Sequence, residues 1–181
     1  MTVAMTKGAD AVSVNVHTIP VNIPQLAGYT TGSGWVPWTG AQWSAHPNAL
    51  RICQDPGATD LTADILDVES GAATLADCAP WAIHALANFH AGTRPGQRSP
   101  AIYMSGSNVT PVVNALIAGG VHAGVGLFVA AWNGREYAVE QLNKSGGPFP
   151  VVGVQYEDAG SYDLDLFLAS WLNNRSKKAA K

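Results

Sequence analysis

The chemistry-bearing stretch that stands out is Ala-Asp-Ile-Leu-Asp-Val-Glu-Ser at residues 63–70. On a β-strand side chains alternate between faces, so Ile65, Asp67 and Glu69 share one face and Leu66 and Val68 the other. Two carboxylates a two-residue step apart, at the C-terminal end of a strand, repel each other in one cavity. One of them then holds its proton while the other is ionised. Such a pair meets the needs of glycoside hydrolysis, with an acid to protonate the leaving oxygen and a carboxylate to stabilise or attack the sugar cation. Other residues that could serve such a site also fall at strand ends. Tyr103, Trp132, Gln155 and Tyr156 offer aromatic faces and an amide to a saccharide, and Asp163 follows shortly after.

The elements that must position these residues alternate along the chain. Strand-like runs are expected at 27–31, 49–54, 63–69, 101–105, 126–132 and 151–156. Helices are expected around Trp43 behind a Thr39 cap, and over 75–91 behind a Thr74/Asp77 capping box. Further helices are expected over 108–118, ended by Gly119 and Gly120, over 135–143, and over 163–173. Strands separated by helices imply parallel β/α units with right-handed crossovers. The fold class is therefore α/β, as a compact, irregular or incomplete TIM-like (β/α) barrel or a doubly wound sheet. Gly28, Gly32 and Gly34 lack the dinucleotide-binding spacing, which disfavours a dinucleotide fold. Residues 1–26 read as an extended N-terminal arm. Val12, Val14 and Val16 alternate there with polar residues as an outer strand or an attachment segment, and Pro20 and Pro24 keep the path extended. The barrel domain spans 27–174, and 175–181 is a basic flexible tail.

Composition sets limits. The 181 residues suit one domain, and 47% of them are apolar, enough for a sizeable core. Only 13% are charged, and the formal net charge of −3 is unevenly spread, because Arg175, Lys177, Lys178 and Lys181 fall at the very end. The body before them holds six basic and thirteen acidic groups, a poor surface for nucleic acid. No apolar run is long enough to span a membrane, and residues 1–17 do not read as a signal peptide. Cys53 and Cys78 lack any metal or redox spacing and are expected as buried thiols. The five histidines show no ligand spacing, and neither a metal nor a cofactor is expected. The helix over 75–91 carries only Asp77 and the one over 108–118 no charge, so some helix faces are expected to be covered by other subunits.

Four motifs occur in order: Asp-Val-Glu at 67–69, Pro-Ala-Ile-Tyr-Met-Ser at 100–105, Phe-Val-Ala-Ala-Trp at 128–132, and Val-Gln-Tyr at 154–156 followed by Tyr-Asp-Leu-Asp-Leu-Phe at 162–167. Over residues 27–173 the chain resembles the family 25 glycoside hydrolases, the lysozyme-like muramidases of bacteria and phages, and the short related domains of actinobacterial and phage proteins. The resemblance implies an irregular β/α barrel that cleaves the β-1,4 bond after N-acetylmuramic acid. Glu69 would be its general acid, Asp67 the stabilising partner and Asp163 the late acidic residue. Tyr29, Tyr103, Trp132, Gln155 and Tyr156 would then contact a peptidoglycan-type polysaccharide. That family opens its first strand with an Asp, whereas Ala-Gly-Tyr-Thr-Thr-Gly places Tyr29 near that point. A second reading follows: a catalytically degenerate barrel that binds glycan or serves in a phage virion as a capsid-decoration or tail protein. Its partners would be virion proteins or, through the arm, other copies of itself. Both readings place the protein in a virion or at the cell wall, or otherwise in the cytoplasm.

Overall fold

The computed structural model describes residues 4–31, 35–55, 57–131 and 147–177. Eight strands close into a barrel in chain order: β1 (Met5–Asp10), β2 (Gln25–Tyr29), β3 (Leu50–Cys53), β4 (Ile65–Val68), β5 (Ala101–Ser105), β6 (Gly126–Ala130), β7 (Val151–Asp158) and β8 (Asp163–Leu168). β1 through β7 run parallel, and β8 is antiparallel to both β7 and β1. The reversal follows from the length of the link. Only residues 159–162 join β7 to β8, whereas a parallel crossover needs a dozen or more. Gly160, at φ +86°, makes the turn.

This differs from the sequence expectation in three places. The segment read as an arm supplies β1, so the first barrel strand is Met5–Asp10, while Val16–Thr18 is a 3₁₀ turn rather than part of a strand. The segment 163–173, expected as one helix, is β8 followed by the short helix α4 (Ala169–Asn173). Its alternation of Asp163, Asp165 and Phe167 with Leu164, Leu166 and Leu168 has the strand period of two. Helices are also sparser than in an eight-fold β/α barrel. α1 (Gly40–Ala45) is short, no helix lies between β3 and β4, and only α2 (Leu75–Ala91) and α3 (Val109–Ala118) are long among the described residues. The helix expected over 135–143 lies outside the described residues. The start of the tail is tied down, with Ser176 N–H donating to the Gln97 carbonyl and Arg175 to Asn48 Oδ1.

Two cores flank the barrel wall. Outside, Leu66, Val68, Ile102, Met104, Val129 and Val154 pack with Cys78, Trp81 and Ala82 of α2 and with Val112 and Leu116 of α3. The Thr74–Asp77 capping box starts α2 as its sequence foretells, and Cys53 and Cys78 are free, buried thiols. Inside, Leu50, Ile52, Ile65, Tyr103, Phe128, Val152 and Phe167 fill the lumen, with Trp171 and Leu172 of α4 closing its lower end. An eight-stranded barrel has just enough interior for side chains. Phe167 uses the space that two glycines leave, since a Cβ on Gly8 would lie 2.5 Å from its ring and one on Gly153 2.8 Å.

Phe167 is therefore the central filler. Urea denaturation should show Phe167→Ala costing about 3–5 kcal/mol through the cavity it opens. Gly153→Ala should cost about 1–3 kcal/mol through overpacking. A neutral result for both would mean that the lumen is not packed this way.

Candidate active site at the barrel mouth

The upper rim, where the parallel strands end and β8 begins, collects carboxyl groups. Inward positions of the strands alternate, so β1 delivers Asp10, β4 delivers Asp67 with Glu69 just beyond it, and β8 delivers Asp163 and Asp165. The reversal of β8 matters here, because it brings the start of that strand to the rim where the others finish. β8 neighbours β1, and β4 stands across the ring from β8. The carboxyls thus form two groups on opposite walls, Asp67 with Glu69 and Asp10 with Asp163 and Asp165.

A cleft of about 330 Å³ opens between them. Asp10, Glu69, Asp163, Tyr29, Tyr103 and Gln155 line it, together with Trp35, Tyr162 and Asp158. No lysine or arginine is among these lining residues. Among the described residues no group of three or more His, Cys, Asp or Glu could hold a metal ion.

A hydrogen-bond relay fixes the floor. Tyr103 Oη donates to Gln155 Oε1 at 2.6 Å, which turns the Gln155 amide nitrogen toward the acids. That nitrogen donates to Asp10 Oδ2 at 2.8 Å and to Asp163 Oδ2 at 3.3 Å. Tyr29 Oη donates to Asp10 Oδ1 at 3.2 Å. Burial first, and the surrounding carboxylates second, push both phenols well above the ordinary tyrosine range, so they remain donors. A bulge in the β7–β8 pairing follows Gln155. Asp67 lies behind Glu69 rather than in the cleft wall. It is 1% exposed, accepts from Gln54 Nε2 at 3.3 Å, and shares a hydrogen bond with Glu69.

Desolvation dominates the electrostatics. It raises Asp67 to about 8, helped by the charges of Glu69 and Asp10. It raises Asp163 to about 7 and Asp10 to about 6, the latter held down by its bonds from Gln155 and Tyr29. Glu69 is raised by burial and lowered by its bond to Asp67, and Asp165 is raised well above the usual carboxylate range. At neutral pH the rim therefore carries protons that free carboxyls would have lost.

Of the residues singled out in the sequence, Glu69, Asp163, Tyr29, Tyr103 and Gln155 come together in the cleft and Asp67 backs it. Tyr156 does not join them. It faces the other side of the barrel wall and packs in the outer core with Leu166. Trp132 lies outside the described residues. Sequence reasoning missed Asp10 and Asp165. Asp10 lies at the end of the first barrel strand, because the barrel begins at residue 5 rather than 27. Asp165 was legible in the period-two pattern of 163–168. No protein-family profile, curated protein or solved structure matches this chain.

The raised carboxyls make a stability prediction. The folded chain holds protons that the unfolded chain releases, so stability is full below the ordinary carboxylate range and falls as pH rises through the folded values. The urea midpoint should decline from about pH 4 to about pH 8, the window between unfolded and folded values. Asp67→Asn should flatten the upper part of that decline. A midpoint that rises over this window would show that the carboxyls are not desolvated.

Proposed function

We propose that the barrel mouth is the active site of a glycoside hydrolase of lysozyme type, acting on peptidoglycan or a related glycan. The observation that carries this reading is the opposition of two carboxyl groups of different character across one aromatic-lined cleft. Glu69 takes up the proton held by Asp67 behind it and delivers that proton to the leaving glycosidic oxygen, and Asp67 is left as the carboxylate. Asp67 and Glu69 titrate as a pair, and the cleft-facing member delivers the proton. Asp10, which accepts from Tyr29 and Gln155, is the carboxylate that faces the developing positive charge on the sugar ring, with Asp163 beside it. Trp35, Tyr29 and Tyr162 supply faces for the sugar C–H groups. The likeness of the four ordered motifs to family 25 hydrolases supports the same assignment, and Asp10 supplies the first-strand acid that the motif comparison lacked.

A second reading, a virion or other assembly protein that holds glycan without cutting it, draws on the outer helices. Leu75 and Ile83 of α2 and Ile117 of α3 are exposed apolar side chains on nearly uncharged helices. No described helix is long and apolar enough to cross a membrane.

The test is release of reducing ends from Gram-positive cell walls by the purified chain. Glu69→Gln should lower kcat/KM by about 10²–10⁴-fold, the usual contribution of a general acid, with the fold intact by circular dichroism. Equal release by both proteins would remove Glu69 from the chemistry. Wall binding without release by the wild type would favour the assembly reading.

A further inference from the structure

Asp165 is a fully buried acid of the mouth that the proposed chemistry leaves unused. It is 0% exposed, and neither of its oxygens meets an N–H or O–H donor among the described residues. It sits on β8 opposite Gly8 of β1 and Gln155 of β7. Gly8 offers no side chain, and the Gln155 amide is already spent between Tyr103, Asp10 and Asp163. The group within hydrogen-bond reach is the Asp10 carboxyl. Two carboxyls can bond only if one of them carries a proton.

The direction of that bond follows from the partners. An ionised carboxylate with no protein donor is among the costliest groups to bury, and a neutral carboxylic acid is far cheaper. Asp10 has two donors of its own, Tyr29 Oη and Gln155 Nε2, and it borders the cleft. Ionisation therefore favours Asp10 and the proton favours Asp165. The titratable groups facing the pair among the described residues are Asp163 on the same strand, Asp67 on β4 with Glu69 beyond it, Tyr29 from β2 and Tyr103 from β5. None of them is a cation that could reverse this order.

We propose that Asp165 is a positioning residue: it stays protonated at neutral pH and donates a hydrogen bond to Asp10, fixing Asp10 as the ionised, cleft-facing carboxylate. With Tyr29 and Gln155 it gives Asp10 three donors, which hold both its charge and its orientation. The consequence for catalysis rests on the glycosidase reading, whereas the proton assignment does not.

The test separates the two. Carboxyl ¹³C NMR of the 181-residue chain, titrated across neutral pH, needs no turnover. Asp165 should keep the chemical shift of a neutral acid to above pH 7 while Asp10 ionises at lower pH. Asp165→Asn keeps a donor in place and should leave the Asp10 midpoint nearly unchanged. Asp165→Leu removes the donor and should raise that midpoint by about one pH unit or more. Ionisation of Asp165 before Asp10, or a midpoint unmoved by the leucine, would overturn the proposal. Should Asp165→Leu not fold, the wild-type titration alone decides, because the order of ionisation is the claim. Where glycan cleavage is measurable, Asp165→Leu should lower kcat/KM by about 10²-fold and move the acidic limb of its pH profile upward, and Asp165→Asn should restore both. Absence of cleavage by the wild type would count against the glycosidase reading and leave the titration result standing.

Discussion

The dominant constraint on this molecule is the removal of carboxyl groups from water at the mouth of a closed barrel, with no cation among the described lining residues to compensate. Desolvation is the largest cause of the shift at Asp10, Asp67, Glu69, Asp163 and Asp165 alike. Several like charges in a poorly solvated site cannot all persist, so the site holds protons and its neighbouring carboxyls titrate together. The polar groups that accompany the acids fit that state. Tyr29 and Gln155 donate to Asp10 beside the cleft, and Tyr103 donates to the Gln155 carbonyl and so aims its amide nitrogen at the acids.

The opposite end of the barrel shows what the same residue type does when it is compensated. Asp64, just below β4, is also fully buried. It accepts from the backbone N–H of Arg51 at 2.9 Å and from that of Arg98, and Arg94 lies 2.6 Å from its Oδ1. Arg98 and Arg175 both donate to Asn48, tying the chain's end to the lower rim. Arg51 stacks over Trp43. Asp64 is thus a structural anchor whose charge is matched, whereas Asp165 is left with another acid as its neighbour. Unmatched burial makes a carboxyl hold its proton above the ordinary range, and here it separates the two ends of one barrel.

This contrast also explains how much the sequence disclosed. The inward face of β4 was readable because Ile65, Asp67 and Glu69 against Leu66 and Val68 alternate cleanly. The start of α2 was readable because Thr74 and Asp77 carry a local hydrogen-bond code. Strand β1 was not, because Met-Thr-Lys-Gly-Ala-Asp has no apolar alternation. Its inward positions are Gly8, which must be small to admit Phe167, and Asp10, which is polar for the sake of the site. A strand whose buried face is a glycine and an acid looks like a loop until its neighbours are known. The run at 163–168 did carry the strand period, but the parallel rhythm of the preceding units suggested a helix in its place. The short link 159–162 was the stronger signal, since no parallel crossover fits within it.

The reversed strand is what completes the site. In a barrel of parallel strands only C-terminal strand ends reach the upper rim, and each contributes a residue or two. Turning β8 over brings Asp163 and Asp165 to that rim beside Asp10, and it sends the chain downward so that α4 can plug the lower end with Trp171 and Leu172. One short turn therefore both seals the lumen and places a second carboxyl group across from Asp67 and Glu69. A parallel β8 would leave Asp10 with only its Tyr29 and Gln155 donors and would leave the lower end open. The chemistry of the mouth and the packing of the floor rest on the same topological choice.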